Sequence, residues 1–354
     1  MIVSRTPYRI SFFGGGTDYP AWYAKHGGGV LAATIDKYCY LTCRHLPPFF
    51  EHKIRVVYSK IENCHTIDEI THPAIREVLR FMEFDRGIEI HHDGDLPARS
   101  GMGSSSAFTV GLLHALYALK GIMPGKRRLA LEGIHIEQNL LQETVGSQDQ
   151  VSAAYGGVNH IQFSPSADIS VTPLTIRPER LKELNGNLML LYTGIKRTAS
   201  TIADSYVKTI DESKRQLRIM TDLVDESLSV LNGNSDLHAF GELLDEAWRV
   251  KRGLSSSVSN SQVDQLYDEA KAAGAVGGKL LGAGGGGFML LFVPPDRHQD
   301  VRDRLNRSLI VPFKFEFSGS QIIFFDSEQD YSAEEKIRAT QLLEEFRELR
   351  GGSS

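Results

Sequence analysis

The chain has 354 residues, too many for one ordinary compact core and a suitable number for two domains of common size. Hydrophobic residues make up 41% and charged residues 23%, which excludes fibrous and intrinsically disordered classes. The net charge of −5 provides no basic surface, so we expect no nucleic-acid partner. An odd count of three cysteines suits a reducing compartment, and no apolar run has the length of a membrane span or the form of a signal peptide. We therefore expect a cytoplasmic protein with no membrane partner.

The first third of the chain predicts strands. YRISFF, GGVLAATI, YCYLTCRHL and IRVVYS carry β-branched and aromatic residues between glycine, proline and polar breaks. IEIHH then alternates apolar and polar residues, which is typical of a half-buried strand. The spacing of Cys39 and Cys43 in one of these runs matches no common zinc pattern, which favours buried thiols over a metal site.

Helices dominate the prediction for the rest of the chain. AFTVGLLHALYAL has helical length and composition, and a second helix is predicted over residues 127–145. Turn-forming residues cluster at 165–187, and residues 199–272 predict several consecutive helices before FMLLFV, which predicts a buried strand. SAEEKIRATQLLEEFREL predicts a final amphipathic helix. We predict an α+β protein with domains at 1–175 and 176–350.

The most informative segment is the second of three glycine-rich loops, LPARSGMGSSSAF at residues 96–108. Gly101 and Gly103 let the backbone approach a ligand closely. Free N–H groups and the helix dipole favour an anion where the predicted helix begins, and three hydroxyls stand there, those of Ser104, Ser105 and Ser106. A simple N-cap needs only one serine. We interpret the segment as a phosphate-binding loop.

Two further glycine-rich loops leave more than one interpretation open. In the first, FGGGTDYP at residues 13–20, the glycines form either a tight turn or a backbone cradle with Asp18 aimed at ligand hydroxyls. The third, GAGGGG at residues 282–287, matches the dinucleotide fingerprint in form but precedes a strand instead of opening a helix. A Rossmann dehydrogenase is accordingly the less favoured alternative. GGKL at residues 277–280 fails the Walker pattern at its leucine.

Together the three loops resemble the three motifs of the GHMP kinases, which include galactokinase, homoserine kinase, mevalonate kinase and phosphomevalonate kinase. PYRISFFGGGTDYP at 7–20, PARSGMGSSSA at 97–107 and KLLGAGGGGFML at 279–290 occur in the family's order. The resemblance implies an active site between an N-terminal mixed α/β domain and a C-terminal α+β, ferredoxin-like domain. It also implies ATP and Mg²⁺ as cofactors.

The resemblance assigns roles to single residues. Asp149 matches the catalytic aspartate of the galactokinase-like branch, and Arg9 matches the basic residue that faces it. Ser105 matches the serine that helps to hold magnesium, and Glu137, twelve residues before Asp149, matches the metal-ligating glutamate. Without that offset Glu137 would be an ordinary charge on a solvated helix face. The nucleotide phosphates are expected on Pro97, Gly101, Met102, Gly103, Ser104, Ser105 and Ser106.

The first motif narrows the choice of acceptor sugar. Galactokinases carry Glu and His before the Thr-Asp pair, where this chain has Gly15 and Gly16, and this difference argues against galactose. The GGGTDYP form, EQNLLQETVGSQDQVSAAYGG and LLYTGIKRTAS are similar to the bacterial D-glycero-D-manno-heptose 7-phosphate kinases. That similarity implies phosphorylation of the anomeric C1 hydroxyl to give the 1,7-bisphosphate. The residues expected at the substrate are Gly15, Gly16, Thr17, Asp18, Gly284 and Gly285.

A substrate that already carries a phosphate needs a second anion site. Lys196 and Arg197 follow a glycine turn and are the first candidates, although adjacent basic residues are also common as plain surface charges. Arg99 is the second candidate. The alternatives are a kinase of the same superfamily acting on fucose or galactose, and a non-catalytic sensor of ATP or sugar. The partners expected are the sugar phosphate and ATP, and a homodimer is left open.

Overall fold

Two β-sheets and their helices make up the computed structural model, which describes residues 1–195, 212–326 and 331–341. The strands are β1 Ile2–Phe13, β2 Gly28–His45, β3 Ile54–Val57, β4 Ile61–Cys64, β5 Ile88–Gly94, β6 Val158–Phe163, β7 Ile169–Pro173, β8 Leu188–Tyr192, β9 Gly277–Leu280, β10 Phe288–Phe292, β11 Leu309–Val311, β12 Phe315–Glu316 and β13 Gln321–Phe325. The α-helices are α1 Pro20–His26, α2 Pro73–Phe81, α3 Ser104–Leu119, α4 Lys126–His135, α5 Gln148–Tyr155, α6 Pro178–Gly186, α7 Lys214–Asn232, α8 His238–Arg252, α9 Ser261–Ala272, α10 His298–Arg304 and α11 Ser332–Thr340. Short 3₁₀ turns occur at Ile67–Glu69 and Pro295–Arg297, and a π-helical turn occurs at Ile136–Leu140.

The first sheet is organised around β2. Among the described residues it has nine strands, in the order β13-β1-β2-β5-β3-β4, with β6 and β12 also paired to β2 and β7 paired to β6. The two strands predicted in GGVLAATI and YCYLTCRHL are one continuous strand of 18 residues. Pro7 has no N–H to donate, and the register between β1 and β2 shifts between Pro7 and Tyr8. The largely apolar helix α3 packs across β1 and β2.

The second sheet confirms the ferredoxin-like expectation. In the part of the chain that the structure describes, it has four antiparallel strands in the order β11-β8-β10-β9. Helices α7 to α9 lie between β8 and β9 in the chain, and α10 lies between β10 and β11. This is the βαββαβ arrangement of a ferredoxin-like domain, with additional helices in its first crossover.

The chain returns to the first sheet near its C-terminal end. β12 pairs with β2 and β13 pairs with β1, so strands predicted to lie in the domain 176–350 complete the N-terminal sheet. The predicted boundary region at 165–187 holds β7 and α6. The division at residue 175 therefore does not coincide with the membership of the two sheets, because the pairing partner of a strand is chosen by tertiary contacts.

The first sheet meets helix α8 in an aromatic cluster. Phe12 and Phe13, at the end of β1, contact Phe240 of α8 edge to face, with ring centroids 5.5 and 5.1 Å apart. All three side chains are fully buried. This packing fixes the end of β1, from which the first glycine loop departs, against the C-terminal half of the molecule.

Several predicted elements differ from the observed ones. The helix predicted over 127–145 ends earlier, because α4 passes into the π-helical turn and the regular structure stops at Leu140. The predicted helical block is confirmed from α7 onward, whereas residues 199–211 lie outside the described residues. The cysteines are buried and unpaired, and the described residues contain no cluster of three metal-ligating side chains. None of the described helices combines the length and apolar content that crossing a membrane requires.

Candidate active site

All three glycine loops border one cleft of about 370 Å³. Its walls come from both halves of the chain, because β1, the second loop and α5 contribute from one side while α8, β9 and the third loop contribute from the other. The residues of the three loops that line the cleft are Gly15, Gly16, Asp18, Tyr19, Arg99, Gly101, Gly103, Ser104, Ser105, Gly282 and Ala283. The cleft thus brings together three motifs that are far apart in the chain.

An arginine and an aspartate face each other in this cleft. Nε and Nη2 of Arg9, on β1, donate to the two carboxylate oxygens of Asp149, each at 2.7 Å. Nη1 of Arg9 donates to the carbonyl oxygen of Gly101 in the second loop, also at 2.7 Å. The Arg9 side chain is 5% exposed and that of Asp149 is 24% exposed. The buried guanidinium therefore orients a carboxylate that remains open to the cleft.

The second glycine loop brings a helix terminus to the same place. Gly103 precedes α3 with φ +71°, in the left-handed region that favours glycine. A Cβ there would lie 3.1 Å from Cγ of Arg9 and 3.4 Å from Oδ2 of Asp149. Within the described residues no side chain caps α3, and Ser104 and Ser105 line the cleft. Uncapped N–H groups at a helix N-terminus form an anion site.

The other predicted members of this loop lie away from the cleft. Met102 is fully buried in the core, and its carbonyl oxygen accepts a hydrogen bond from the backbone N–H of Arg9 at 3.1 Å. Pro97 is exposed, and Ser106 is buried beneath the loop. Met102 and Ser106 therefore support the loop from below.

Glu137 lies below the second loop rather than on the cleft wall. It sits in the π-helical turn, is fully buried, and accepts hydrogen bonds from Ser106 Oγ at 2.7 Å and Thr109 Oγ1 at 3.0 Å, and a third from Gln150. Burial raises the pKa of Glu137 from its ordinary 4.5 to about 7, even though these donors favour the charged form. Glu143 lines the cleft instead, as Asp18 and Asp149 do, and the pKa of its carboxyl group is also raised by burial.

Asp18 connects the first loop to α5. One of its carboxylate oxygens accepts the N–H of Gly16 at 2.9 Å, and the other accepts the N–H of Gln148 at 3.3 Å. Its pKa is raised, mainly by burial and further by the negative charge of Asp149. Thr17 does not reach the cleft, because its hydroxyl donates to the carbonyl oxygens of Gly14 and Gly29 at 2.8 and 3.0 Å. Asp18 therefore positions the helix turn that carries Asp149.

Two lysines at the cleft were not predicted. Lys279 is fully buried on β9 and donates to the carbonyl oxygen of Phe12 at 2.8 Å. Burial, together with the nearby charge of Arg9, lowers its pKa to about 7. Lys251 of α8 donates to the carbonyl oxygens of Leu280, at 2.8 Å, and Gly282. The sequence could have pointed to Lys279 as a residue with a specific role. It is the single charge in the apolar run GGKLLG, and an isolated charge is rarely buried without a partner.

In the third loop, Gly284 and Gly285 were expected at the substrate, but neither residue lines the cleft. Gly285 N–H donates to the carbonyl oxygen of Val258 at 2.8 Å, and a Cβ on Gly284 would lie 2.6 Å from the same oxygen. These two glycines therefore pack against the segment after α8, and Gly282 and Ala283 line the cleft. The second loop is contacted by Phe288, whose N–H donates to the carbonyl oxygen of Ser100 at 3.1 Å. Lys196 and Arg197 lie outside the described residues.

Comparison with known protein families identifies this arrangement. The family model for the GHMP kinases N terminal domain matches residues 69–157, and the model for the GHMP kinases C terminal matches residues 226–311. The chain belongs to the GHMP kinases. This GHMP kinase is accordingly a phosphotransferase, and its two-domain α+β architecture is that of the family.

The proteins to which the chain is similar include a heptose 7-phosphate kinase and an enzyme that contains an L-fucokinase. The chain is 29% identical over 317 residues to D-glycero-alpha-D-manno-heptose 7-phosphate kinase of Campylobacter jejuni, covering 86% of this chain and 93% of that protein. It is 26% identical over 345 residues to L-fucokinase/L-fucose-1-P guanylyltransferase of Bacteroides fragilis, covering 86% of this chain and 36% of that protein. A crystal structure of a D-glycero-D-manno-heptose 1-phosphate kinase from Bacteroides thetaiotaomicron shares the fold, with a TM-score of 0.75, 24% identity, and coverage of 92% and 100%.

Proposed function

We propose that this GHMP kinase transfers the γ-phosphoryl group of ATP to the anomeric C1 hydroxyl of D-glycero-D-manno-heptose 7-phosphate, giving the 1,7-bisphosphate and ADP. The observation that carries the proposal is the Arg9–Asp149 pair, which faces the same cleft as the uncapped start of α3. The similarity to the Campylobacter jejuni enzyme supports the choice of a heptose 7-phosphate as acceptor.

Asp149 is the proposed catalytic base. The C1 hydroxyl loses its proton as it attacks the γ-phosphorus, and a carboxylate within reach accepts that proton. Arg9 holds both oxygens of Asp149, so the rotation of the carboxylate is restricted before the substrate binds. The positive charge of Arg9 also stabilises negative charge that develops on the transferred phosphoryl oxygens. Ser104 and Ser105, at the start of α3, receive the phosphates of the nucleotide.

Oxygen donors of the type that Mg²⁺ prefers lie at and below the second loop. Ser105 lines the cleft, and the carboxylate of Glu137 lies in the layer below, linked to the loop through Ser106. Both groups are hard oxygen donors, the type that Mg²⁺ prefers together with phosphate oxygens and water. We propose that Ser105 and Glu137 hold the ion, which when bound supplies charge neutralisation for the phosphates.

The sugar is proposed to bind beside the first loop. Gly15 and Gly16 border the cleft without side chains, which leaves space for an acceptor larger than a hexose. Asp18 reaches the same wall, and its carboxylate is close to Gln148 at the start of α5. Hydroxyl recognition by Asp18 would thereby be coupled to the position of Asp149.

A second candidate function is the phosphorylation of fucose or galactose. The similarity to the kinase-containing enzyme of Bacteroides fragilis, which covers 86% of this chain, favours fucose among free sugars. The Arg9–Asp149 pair would serve either acceptor equally, so the two functions differ in the need for a second anion site.

The test is an ADP-release assay with Mg-ATP and a panel of D-glycero-D-manno-heptose 7-phosphate, fucose, galactose and mevalonate. We expect turnover on the heptose phosphate. Turnover only on an unphosphorylated sugar would retain the kinase and refute the proposed acceptor. ATP binding without turnover on any of these compounds would favour a sensor.

A further inference from the structure

In the part of the chain that the structure describes, four cationic side chains line the cleft, namely those of Arg9, Arg99, Lys251 and Lys279. Arg9 is engaged by Asp149 and Gly101, and the two lysines donate to backbone carbonyl oxygens. Among the residues that the structure describes, the Arg99 guanidinium has neither a hydrogen bond nor an ion pair. Its positive charge acts on the carboxyl group of Glu143, whose pKa it lowers against the effect of burial. Arg99 thus lines the cleft with a guanidinium that no described residue binds.

The backbone of Arg99 is held in an unfavourable conformation. Its φ is +59°, in the left-handed region that side chains other than Gly, Asn and Asp rarely adopt. The described residues contain three other non-glycine positions with positive φ, Glu83, Gln142 and Ala167, and none of these lines the cleft. Ser104 Oγ accepts the N–H of Arg99 at 3.2 Å and holds the residue in place. Strained backbone at a ligand cleft is typical of residues retained for function.

The nucleotide phosphates have an anion site of their own in this loop. The uncapped N-terminus of α3 and the hydroxyls of Ser104 and Ser105 already provide an anion site on the adjoining part of the loop. A guanidinium presents five N–H donors in a fixed planar fork, a shape that matches two oxygens of a phosphate. The second loop therefore offers two anion sites, one at the helix terminus and one at Arg99.

We propose that Arg99 binds the phosphate that the acceptor sugar already carries, and that it thereby selects phosphorylated sugars over free ones. This inference rests on the proposed function, since it assigns the second anion site of that same acceptor. Arg99 lies in the described part of the chain, so the proposal does not depend on Lys196 or Arg197.

The test compares Arg99→Asn and Arg99→Lys with the wild-type kinase. Asn tolerates positive φ and removes the charge, so it separates phosphate binding from backbone strain. Arg127→Asn is the matched control, because Arg127 is 65% exposed and pairs with Asp168 away from the cleft. Binding of heptose 7-phosphate is measured by calorimetry without ATP, and binding of ATP is measured separately.

We expect Arg99→Asn to weaken binding of heptose 7-phosphate by about tenfold to hundredfold, the range for hydrogen bonds between charged groups. Arg99→Lys should lose less, because it keeps the charge but not the two-pronged geometry. The dissociation constant for ATP should stay within about twofold of wild type, and Arg127→Asn should change neither constant.

Three results would overturn the inference, and they are distinguishable. Unchanged binding of heptose 7-phosphate in Arg99→Asn would refute the role of Arg99 and leave the proposed function standing. A matching loss of ATP affinity would assign Arg99 to the nucleotide. Failure of the wild-type kinase to bind heptose 7-phosphate would refute the proposed function and, with it, this inference before any variant is compared.

Discussion

Arg9 and Asp149 are separated by 140 positions in the chain, yet each carboxylate oxygen of Asp149 receives a donor from Arg9 at 2.7 Å. This pairing leaves Asp149 with little rotational freedom and with one face open to the cleft. At the scale of single residues, a carboxylate that is already oriented lowers the entropic cost of reaching the geometry in which it deprotonates the sugar hydroxyl.

Asp149→Asn tests the proposed base. Asn has nearly the same size but cannot accept the proton, so we expect kcat to fall by about 10²- to 10⁴-fold, the range for general base catalysis. ATP binding should stay nearly intact, since the phosphates bind at the start of α3. Steady-state kinetics and direct nucleotide titration measure the two effects. Asp168→Asn is the control, because Asp168 is 67% exposed. Equal losses of ATP affinity and rate would contradict the assigned role.

Glu137→Gln tests the buried carboxyl group below the second loop. With a pKa of about 7 in the folded state against 4.5 ordinarily, the native protein binds more protons than the unfolded chain between these values. The free energy of unfolding of the wild type should therefore fall as the pH rises through this window. The Gln variant lacks this group, so its stability relative to wild type should rise between pH values of about 5 and 8.

Urea unfolding at both pH values measures this difference. Glu226→Gln, at an exposed position of α7, is the control and should follow the wild type. Parallel pH dependence of Glu137→Gln and wild type would show that Glu137 is not the group that titrates.

At the scale of secondary-structure elements, the first two glycine loops and the helices α3 and α5 together form the candidate active site. The first loop ends at Asp18, which accepts the N–H of Gln148 at the start of α5, and the second loop ends where α3 begins. Arg9 joins them, because it contacts Asp149 of α5 and the backbone at Gly101 and Met102 of the second loop. Displacement of either helix start therefore moves the catalytic pair and the phosphate site together.

Gly103→Ala tests this arrangement of loops and helices. An alanine at this position would have to adopt a φ near +71°. Its Cβ would lie 3.1 Å from Cγ of Arg9, so the catalytic pair must shift. We expect kcat/KM to fall at least about tenfold, because small displacements of catalytic groups are costly, together with a stability loss of about 1 kcal/mol from the strained backbone.

Gly121→Ala is the matched control for Gly103→Ala. Gly121 follows the other end of α3, also has positive φ (+68°), and has open space where a Cβ would be placed. It should lose similar stability and retain activity. Loss of activity in both variants would indicate that strain in α3, and not contact with Arg9, is responsible. Thermal unfolding and the ADP-release assay are sufficient for this comparison.

Lys279 connects the two sheets at the scale of the whole molecule. It extends from β9 to the carbonyl oxygen of Phe12 on β1, beside the aromatic contact between Phe12 and Phe240. A fully buried ammonium is unfavourable, which is why its pKa is lowered to about 7. The cleft between the sheets thus depends on both apolar packing and one buried donor.

Lys279→Met removes this donor while preserving length and apolar volume. In the wild type, the unfolded chain binds more protons than the native state between a pH of about 7 and the ordinary lysine pKa of 10.5. The free energy of unfolding should therefore rise with pH in that window, and this rise should be smaller in Lys279→Met. Chemical unfolding at a pH of about 7 and about 9.5 checks the expectation. Lys182→Met, at an exposed position of α6, is the control. An unchanged rise in the Lys279 variant would refute the assignment.

Features that depend on local chemistry follow from the amino-acid sequence alone. Consecutive glycines mark backbone that bends sharply or approaches a ligand, so the three loops are evident from their composition. The buried strand FMLLFV and the long apolar helix follow from composition and length, and both are present as β10 and α3. The resemblance of the loops to the GHMP motifs indicates the family, which the matches at 69–157 and 226–311 establish.

Tertiary contacts, by contrast, decide which of these residues meet. They place Glu137 below the second loop, hold Gly284 and Gly285 away from the cleft, and bring Lys251 and Lys279 to it. They also return β12 and β13 to the first sheet. The physical reason is the same in each case. Burial, ion pairing and strand pairing are set by neighbours hundreds of residues away in some cases, and no local pattern of hydrophobicity or turn residues encodes which distant segment will be that neighbour.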